Sequence, residues 1–326
     1  MGESYLMKVV NKFYVSGGRL KLIVVIIILL STGLYFYLNQ PKTKPPAEVF
    51  MGMSGTPEYF KDLLTRAKKQ DPEAYEEALL RAEKGNSRTK EAAAESLSYY
   101  EDEKALNSLE KLFLDPNERV RIRAIKAISN LQSEERKNIL LDFYHKDQFS
   151  DREEVHLWSS LLRVSKEKEI SDLALEHLIY LLKNSKEEKV QALSVSYMIH
   201  YLPKNNQIIE TFEDYIQDYK YNTPLANIIR FLGSKKNSIY MDNMKNLVDV
   251  GSFDVHLSII ETLHLSCPKN RKEVLKKIIL LYLTKSRELK SLTRTLSYHG
   301  ELGKNIAEEL GIIAEREFRQ DMCSHY

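Results

Sequence analysis

The stretch DPNERVRIRAIKAISNL, residues 115–131, carries two opposed signals. Arg-Val-Arg-Ile-Arg alternates as a strand would, while the residues around it are spaced as on a helix. The helix prevails on its start: Asp115 can accept from the free amides of a first turn, Pro116 suits the first helical position, and Glu118 completes a capping box. Val120, Ala124, Ala127, Ile128 and Leu131 then form one apolar face, and the alternation stops at Arg123. What decides the fold is whether that face repeats.

It does. With Val120 as pivot, a small residue four later and a further core position seven later, the pattern returns as Val155, Ser159 and Leu162, and again as Val190, Ser194 and Tyr197, with pivots 35 residues apart. It continues in Leu225, Ile229 and Leu232, more loosely in Val255, Ile259, Thr262 and Leu289, Thr293, Leu296, and upstream in Thr89, Ala93, Ser96. Start signals precede the pivots independently: Asp151 with Glu154, Ser185 with Glu188, Thr223 before Pro224, Ser252 and Ser286. Between pivots lies a second amphipathic segment, such as KALNSLEKLFL or ISDLALEHLIYLL. The unit is a helical hairpin.

Residues 115–131 resemble the second helix of a HEAT repeat, with Asp115, Val120, Arg121, Ala124 and Ala127 matching its pattern. The resemblance implies an all-α, right-handed α-solenoid of stacked hairpins of armadillo type, in which Asp115 and Arg121 link neighbouring repeats as a ladder. Elsewhere the arginine position is Lys90, His156, Gln191, Ala226, His256 and Lys290, and none of those units has Asp five residues before its pivot. Two alternatives stay open, both all-α. The tetratricopeptide family has a similar period, but its Trp, Gly, Tyr and Pro landmarks are not in register; the other is an irregular helical domain. Only 12 Gly and 9 Pro in 326 residues leave little turn chemistry for many strands, and 43% apolar content suffices for a core.

Leu22–Leu38 contains no charge, and its 17 residues would rise roughly 26 Å as a helix, close to a hydrocarbon core of about 30 Å. Lys21, Tyr35 and Tyr37 are placed for the interface. The long preceding segment and the lack of an Ala-x-Ala site argue against a cleaved signal. Lys8, Lys12, Arg19 and Lys21 precede the span and only Lys42 and Lys44 follow it closely, which keeps the amino end in the cytoplasm. The expected organisation is a cytoplasmic amino end (1–21), a single transmembrane helix (22–38), a Pro-containing linker (39–56), a helical-repeat domain (57–317) and a polar tail (318–326). The repeats of such a single-pass inner-membrane protein would stand in the periplasm.

Of 48 basic and 46 acidic residues, six and one precede residue 47, leaving 42 against 45 in residues 47–326, which argues against nucleic acid as partner. No phosphate loop, nucleophile elbow or His-Glu-x-x-His is present, and the reading includes no cofactor and no small-molecule substrate. His264 and Cys267 with Cys323 and His325 have residue types suited to zinc, but the second pair lies in a polar tail read as frayed. A Cys267–Cys323 disulfide would suit an oxidising compartment, with unpaired thiols as the default reading. Trp158 and the tyrosines read as core rather than as a binding stripe.

Two function classes follow. Stacked hairpins offer a long surface suited to a protein partner, and a membrane tether would concentrate it; some bacterial HEAT-like relatives are lyases or glycosylases, but no acid, base or nucleophile stands in register here. The scaffold reading is preferred, without catalysis. The candidate partner-binding residues are the row after the pivots, Lys90, Arg121, His156, Gln191, His256 and Lys290, polar and never acidic. A ladder within the stack would account for the same row.

Overall fold

The computed structural model describes residues 57–131, 135–146, 149–235, 246–249, 251–313, 316–319 and 323. The transmembrane helix, the linker and most of the segment YMDNMKNLV expected as a first helix lie outside these residues. Among the described residues every regular element is helical, and no helix is long and apolar enough to cross a membrane.

Two helices, α1 (Pro57–Ala67) and α2 (Pro72–Lys84), lead into the first pivot helix, α3 (Ser87–Leu97). Hairpins then follow: α4 (Glu103–Phe113) with α5 (Glu118–Asn130), α6 (Arg136–Lys146) with α7 (Asp151–Val164), α8 (Lys168–Asn184) with α9 (Glu188–Tyr201), and α10 (Asn206–Gln217) with α11 (Asn222–Ser234). The series ends with α12 (Phe253–Ser266), α13 (Arg271–Leu280), α14 (Ser286–Leu296) and α15 (Gly300–Glu309). The second helices α3, α5, α7, α9, α11, α12 and α14 each pack on the next, so the pivot pattern marks the axis of a stack.

Burial explains the period. Every pivot, fourth and seventh residue named above is buried except Tyr197 and Leu289, which are half-buried. Contacts also recur one period apart: the Tyr221 hydroxyl donates to the Lys186 carbonyl at 2.6 Å and the Thr223 hydroxyl to the Glu188 carboxylate at 2.6 Å, each pair 35 residues apart. Small residues set how closely helices approach. A Cβ on Gly233 in α11 would lie 2.4 Å from the Thr262 Cβ of α12. Ala124 and Ser194 have no exposed surface, so Ala124→Leu and Ser194→Leu are each expected to cost about 1–3 kcal/mol by overfilling. Thermal unfolding measures this, and unchanged melting in both would remove the basis of the alignment.

The helix starts need correction. Asn117, not Asp115, caps α5 by accepting from the Arg119 amide, and Ser150 with Glu153, not Asp151 with Glu154, forms the capping box of α7. Asp115 and Ser185 stand further upstream, each accepting from the amide two residues on, at Asn117 and Glu187. They fix the turn between hairpin arms and leave the cap to its neighbour. Thr223 lies inside α11, which begins at Asn222, and there bonds the preceding repeat.

The described part of the tail is also held. The Arg319 amide donates to the Ser297 carbonyl at 2.9 Å, its guanidinium lies over the Tyr298 ring, and Cys323 forms a disulfide with Cys267 at the end of α12. This replaces the unpaired thiols expected from the sequence, and of the tail read as frayed it holds the described residues Arg319 and Cys323. Polarity alone underestimated Phe318, whose ring lies against Gly303 of α15.

Candidate partner-binding face

The amino-terminal turns of the second helices carry the row read from the sequence, and the structure places most of it in contacts along the stack. Lys90 of α3 reaches forward to the Asp115 carboxylate at 2.7 Å. Arg121 of α5 pairs with Glu153 of α7 and also donates to the Asp115 carbonyl at 2.7 Å. One unit later the Gln191 amide donates to the Ser185 carbonyl at 2.7 Å, six residues back as Arg121 does, and accepts from the Tyr215 hydroxyl at 2.6 Å. His156 meets the Tyr197 hydroxyl at 2.9 Å; His256 meets the Tyr282 hydroxyl at 2.8 Å and the Val248 carbonyl at 3.1 Å. His156, Gln191 and His256 are buried, Lys90 and Arg121 half-buried, and Lys290 exposed. A long donor after the pivot thus ties the loop before its helix or the unit beside it.

These buried groups carry a pH dependence. Burial, then the charges of Lys126, Lys189 and Arg123, push the His156 imidazole down to about 3, and burial lowers His256 despite backbone carbonyls that raise it. The unfolded imidazole titrates near about 6.5, so the unfolded chain takes the proton first. Stability present above that pH is lost as pH falls from about 6.5 toward 3. Glu153 acts in the same sense: burial raises its carboxyl, but Arg121 and the hydrogen bonds from Ser150 outweigh that and hold it below the usual range. Acidification from pH 7 to 4 is therefore expected to lower the melting temperature. His156→Gln should flatten the upper part of that fall, and an unaltered profile in the variant would remove His156 as its source.

Further along the same helices lies a site the sequence reading missed. A groove of about 290 Å³ is lined from four successive second helices, by Glu95 and Ser98 at α3, Arg123, Lys126 and Asn130 of α5, Ser159, Ser160 and Arg163 of α7, and Tyr197 and Tyr201 of α9. Arg163 is held by the Asn130 side-chain oxygen and, at 3.4 Å, by the Tyr201 hydroxyl. Arg123 pairs with Glu95 at 3.0 Å. Among the described residues no carboxylate lies within 4.0 Å of the Lys126, Arg163 or Lys189 charge. Burial, then Arg123, Lys189 and Arg163, lower the Lys126 ammonium. Arg123 and Lys126 stand three and six residues after Val120 and Arg163 eight after Val155, so no single offset from the pivots would have found them.

An acid-base chain lies between α6, α7 and α8. His177 Nδ1 meets Glu154 at 2.6 Å, its Nε2 meets the Tyr144 hydroxyl at 2.8 Å, and the buried Trp158 ring stacks on it. Burial and the Glu154 charge raise Tyr144, the opposite of activating its hydroxyl as a nucleophile. Both ring nitrogens serve contacts between helices. Cys267 and Cys323 are consumed by the disulfide, His325 lies outside the described residues, and among those described no His, Cys, Asp and Glu cluster could hold a metal.

The hairpin stack defines an α-solenoid. Residues 72–159, from the start of α2 into α7, match the family of HEAT repeats, and the stacked helices fit a HEAT-like repeat protein. No curated protein matches it. HEAT repeats generally mediate protein–protein interaction, so the class suggests an interaction scaffold.

Proposed function

We propose that the protein is a membrane-anchored interaction scaffold, with residues 22–38 spanning the inner membrane, residues 39–56 as a tether, and the HEAT-like stack standing outside the cytoplasm to hold a protein partner. The observation that carries it is the succession of second helices from α3 to α14, each packed on the next, a surface that grows by repetition. The Cys267–Cys323 disulfide supports the location, since such bonds persist in oxidising compartments. The uncharged run from Leu22 to Leu38, with its basic residues in front, supports the anchor and its direction. No catalytic role is assigned, because the acid-base chain at His177 has its ring nitrogens engaged by Glu154 and Tyr144.

A reporter fused after Tyr326 that is active only when exported, with protease added outside the inner membrane, tests this reading. Reporter activity and digestion of the repeats in intact spheroplasts are expected. Digestion only after the membrane is broken would reverse the orientation, and recovery of the whole chain in the soluble fraction would remove the anchor.

A further inference from the structure

We propose that the groove across α5, α7 and α9 binds an extended acidic peptide segment of the partner protein, with Lys126 and Arg163 receiving its carboxylates. This rests on the reading of the chain as a scaffold and names the chemistry of what it holds.

On the second helices Lys90 is paired with Asp115, Arg121 with Glu153, Arg123 with Glu95 and Arg230 with Glu261 at 2.7 Å. Lys126 departs from that pattern. It is half-buried, faces Arg123, Arg163 and Lys189, whose charges together with burial outweigh that of Glu95, and has no carboxylate within 4.0 Å among the described residues. An ammonium in such surroundings is disfavoured in the free protein, and an incoming carboxylate removes that cost. Arg163 is already oriented by Asn130 and Tyr201, so little side-chain freedom is lost when its guanidinium meets an acceptor.

Spacing favours a peptide. Neighbouring packed helices lie about 8–10 Å apart, and an extended chain advances about 3.3 Å per residue. Carboxylates two or three residues apart therefore reach cations on successive helices. Serine and tyrosine hydroxyls between them, at Ser159, Ser160 and Tyr197, suit the peptide's own amides and carbonyls. A nucleic-acid strand fits less well: residues 47–326 hold 42 basic against 45 acidic residues, and Glu95 closes one side of the groove.

Fluorescence anisotropy on the full chain in detergent micelles tests the proposal, using a labelled ten-residue peptide with alternating Asp in a Ser/Gly background. Its Asn counterpart and a ten-nucleotide single strand of DNA serve as competing probes. The Asp peptide is expected to bind at least tenfold more tightly than the Asn peptide. Lys126→Glu should weaken it at least tenfold while leaving the melting temperature unchanged or raised, because the substitution relieves repulsion. Lys126→Gln with Arg163→Gln should act likewise, and Lys168→Glu on the exposed start of α8 should change binding less than twofold. No binding, equal binding of the two peptides, tighter binding of DNA, or an undiminished affinity in Lys126→Glu would each overturn the proposal. A photo-crosslinking residue at Tyr201 and another at Tyr180 keep the two readings apart. Partner capture at Tyr180 alone sinks the groove and leaves the scaffold, whereas capture at neither site, with no peptide bound, counts against both.

Discussion

Trp158→Ala is expected to cost about 3–5 kcal/mol, the range for removing a large buried aromatic side chain. Trp158 is fully buried in α7, stacks on His177 of α8 with ring centroids 4.4 Å apart, and meets Tyr144 of α6 edge-on at 4.8 Å. Its indole nitrogen donates to Glu154 at 3.3 Å, the same carboxylate that holds His177. One truncation therefore opens a void and loosens three helices at once. Because stability in a repeat stack is carried by neighbouring contacts, hydrogen exchange should accelerate most in α6, α7 and α8. Uniform acceleration along the chain would show instead that the stack opens as one unit.

The second large effect is expected at the Arg121–Glu153 pair. The Glu153 side chain is 2% exposed, and Arg121→Ala leaves that carboxylate buried without its cation. Loss of one partner of such a pair typically costs about 3–5 kcal/mol. The double variant Arg121→Ala, Glu153→Gln should recover part of the loss, because the remaining amide still has Ser150 beside it. Arg121→Lys should fall between, since a single ammonium cannot serve both Glu153 and the Asp115 carbonyl. Equal losses in the single and double variants would deny the pair its energetic role.

The period was legible because burial enforces it. Val120, Val155, Val190, Leu225 and Val255 are all fully buried, and a large polar side chain at any of them would be buried between neighbouring helices. Helix starts were legible only to within a turn. Asp115 and Ser185 are ordinary capping residues, but tight connections between hairpin arms leave them to bond the turn while Asn117 or Glu187 takes the cap position. The row after the pivots was legible as polar, and the contacts of Gln191 and His256, which run to Tyr215 and Tyr282 at sequence separations of 24 and 26, were not. The groove left no local signal at all. Its cations come from different turns of α5 and α7, and only the way successive helices stack brings Lys126 and Arg163 to one side.

The Cys267–Cys323 bond closes a stretch of 56 residues that contains α13, α14 and α15. A covalent loop of that length restricts the unfolded chain by about 4 kcal/mol on an entropic account. In a linear array, melting begins at whichever end is weakest, and this closure makes the two ends unequal. Opening would then have a direction: hairpins would peel from α1 toward the disulfide, and the carboxyl-terminal units would serve as the seed on which the rest re-forms.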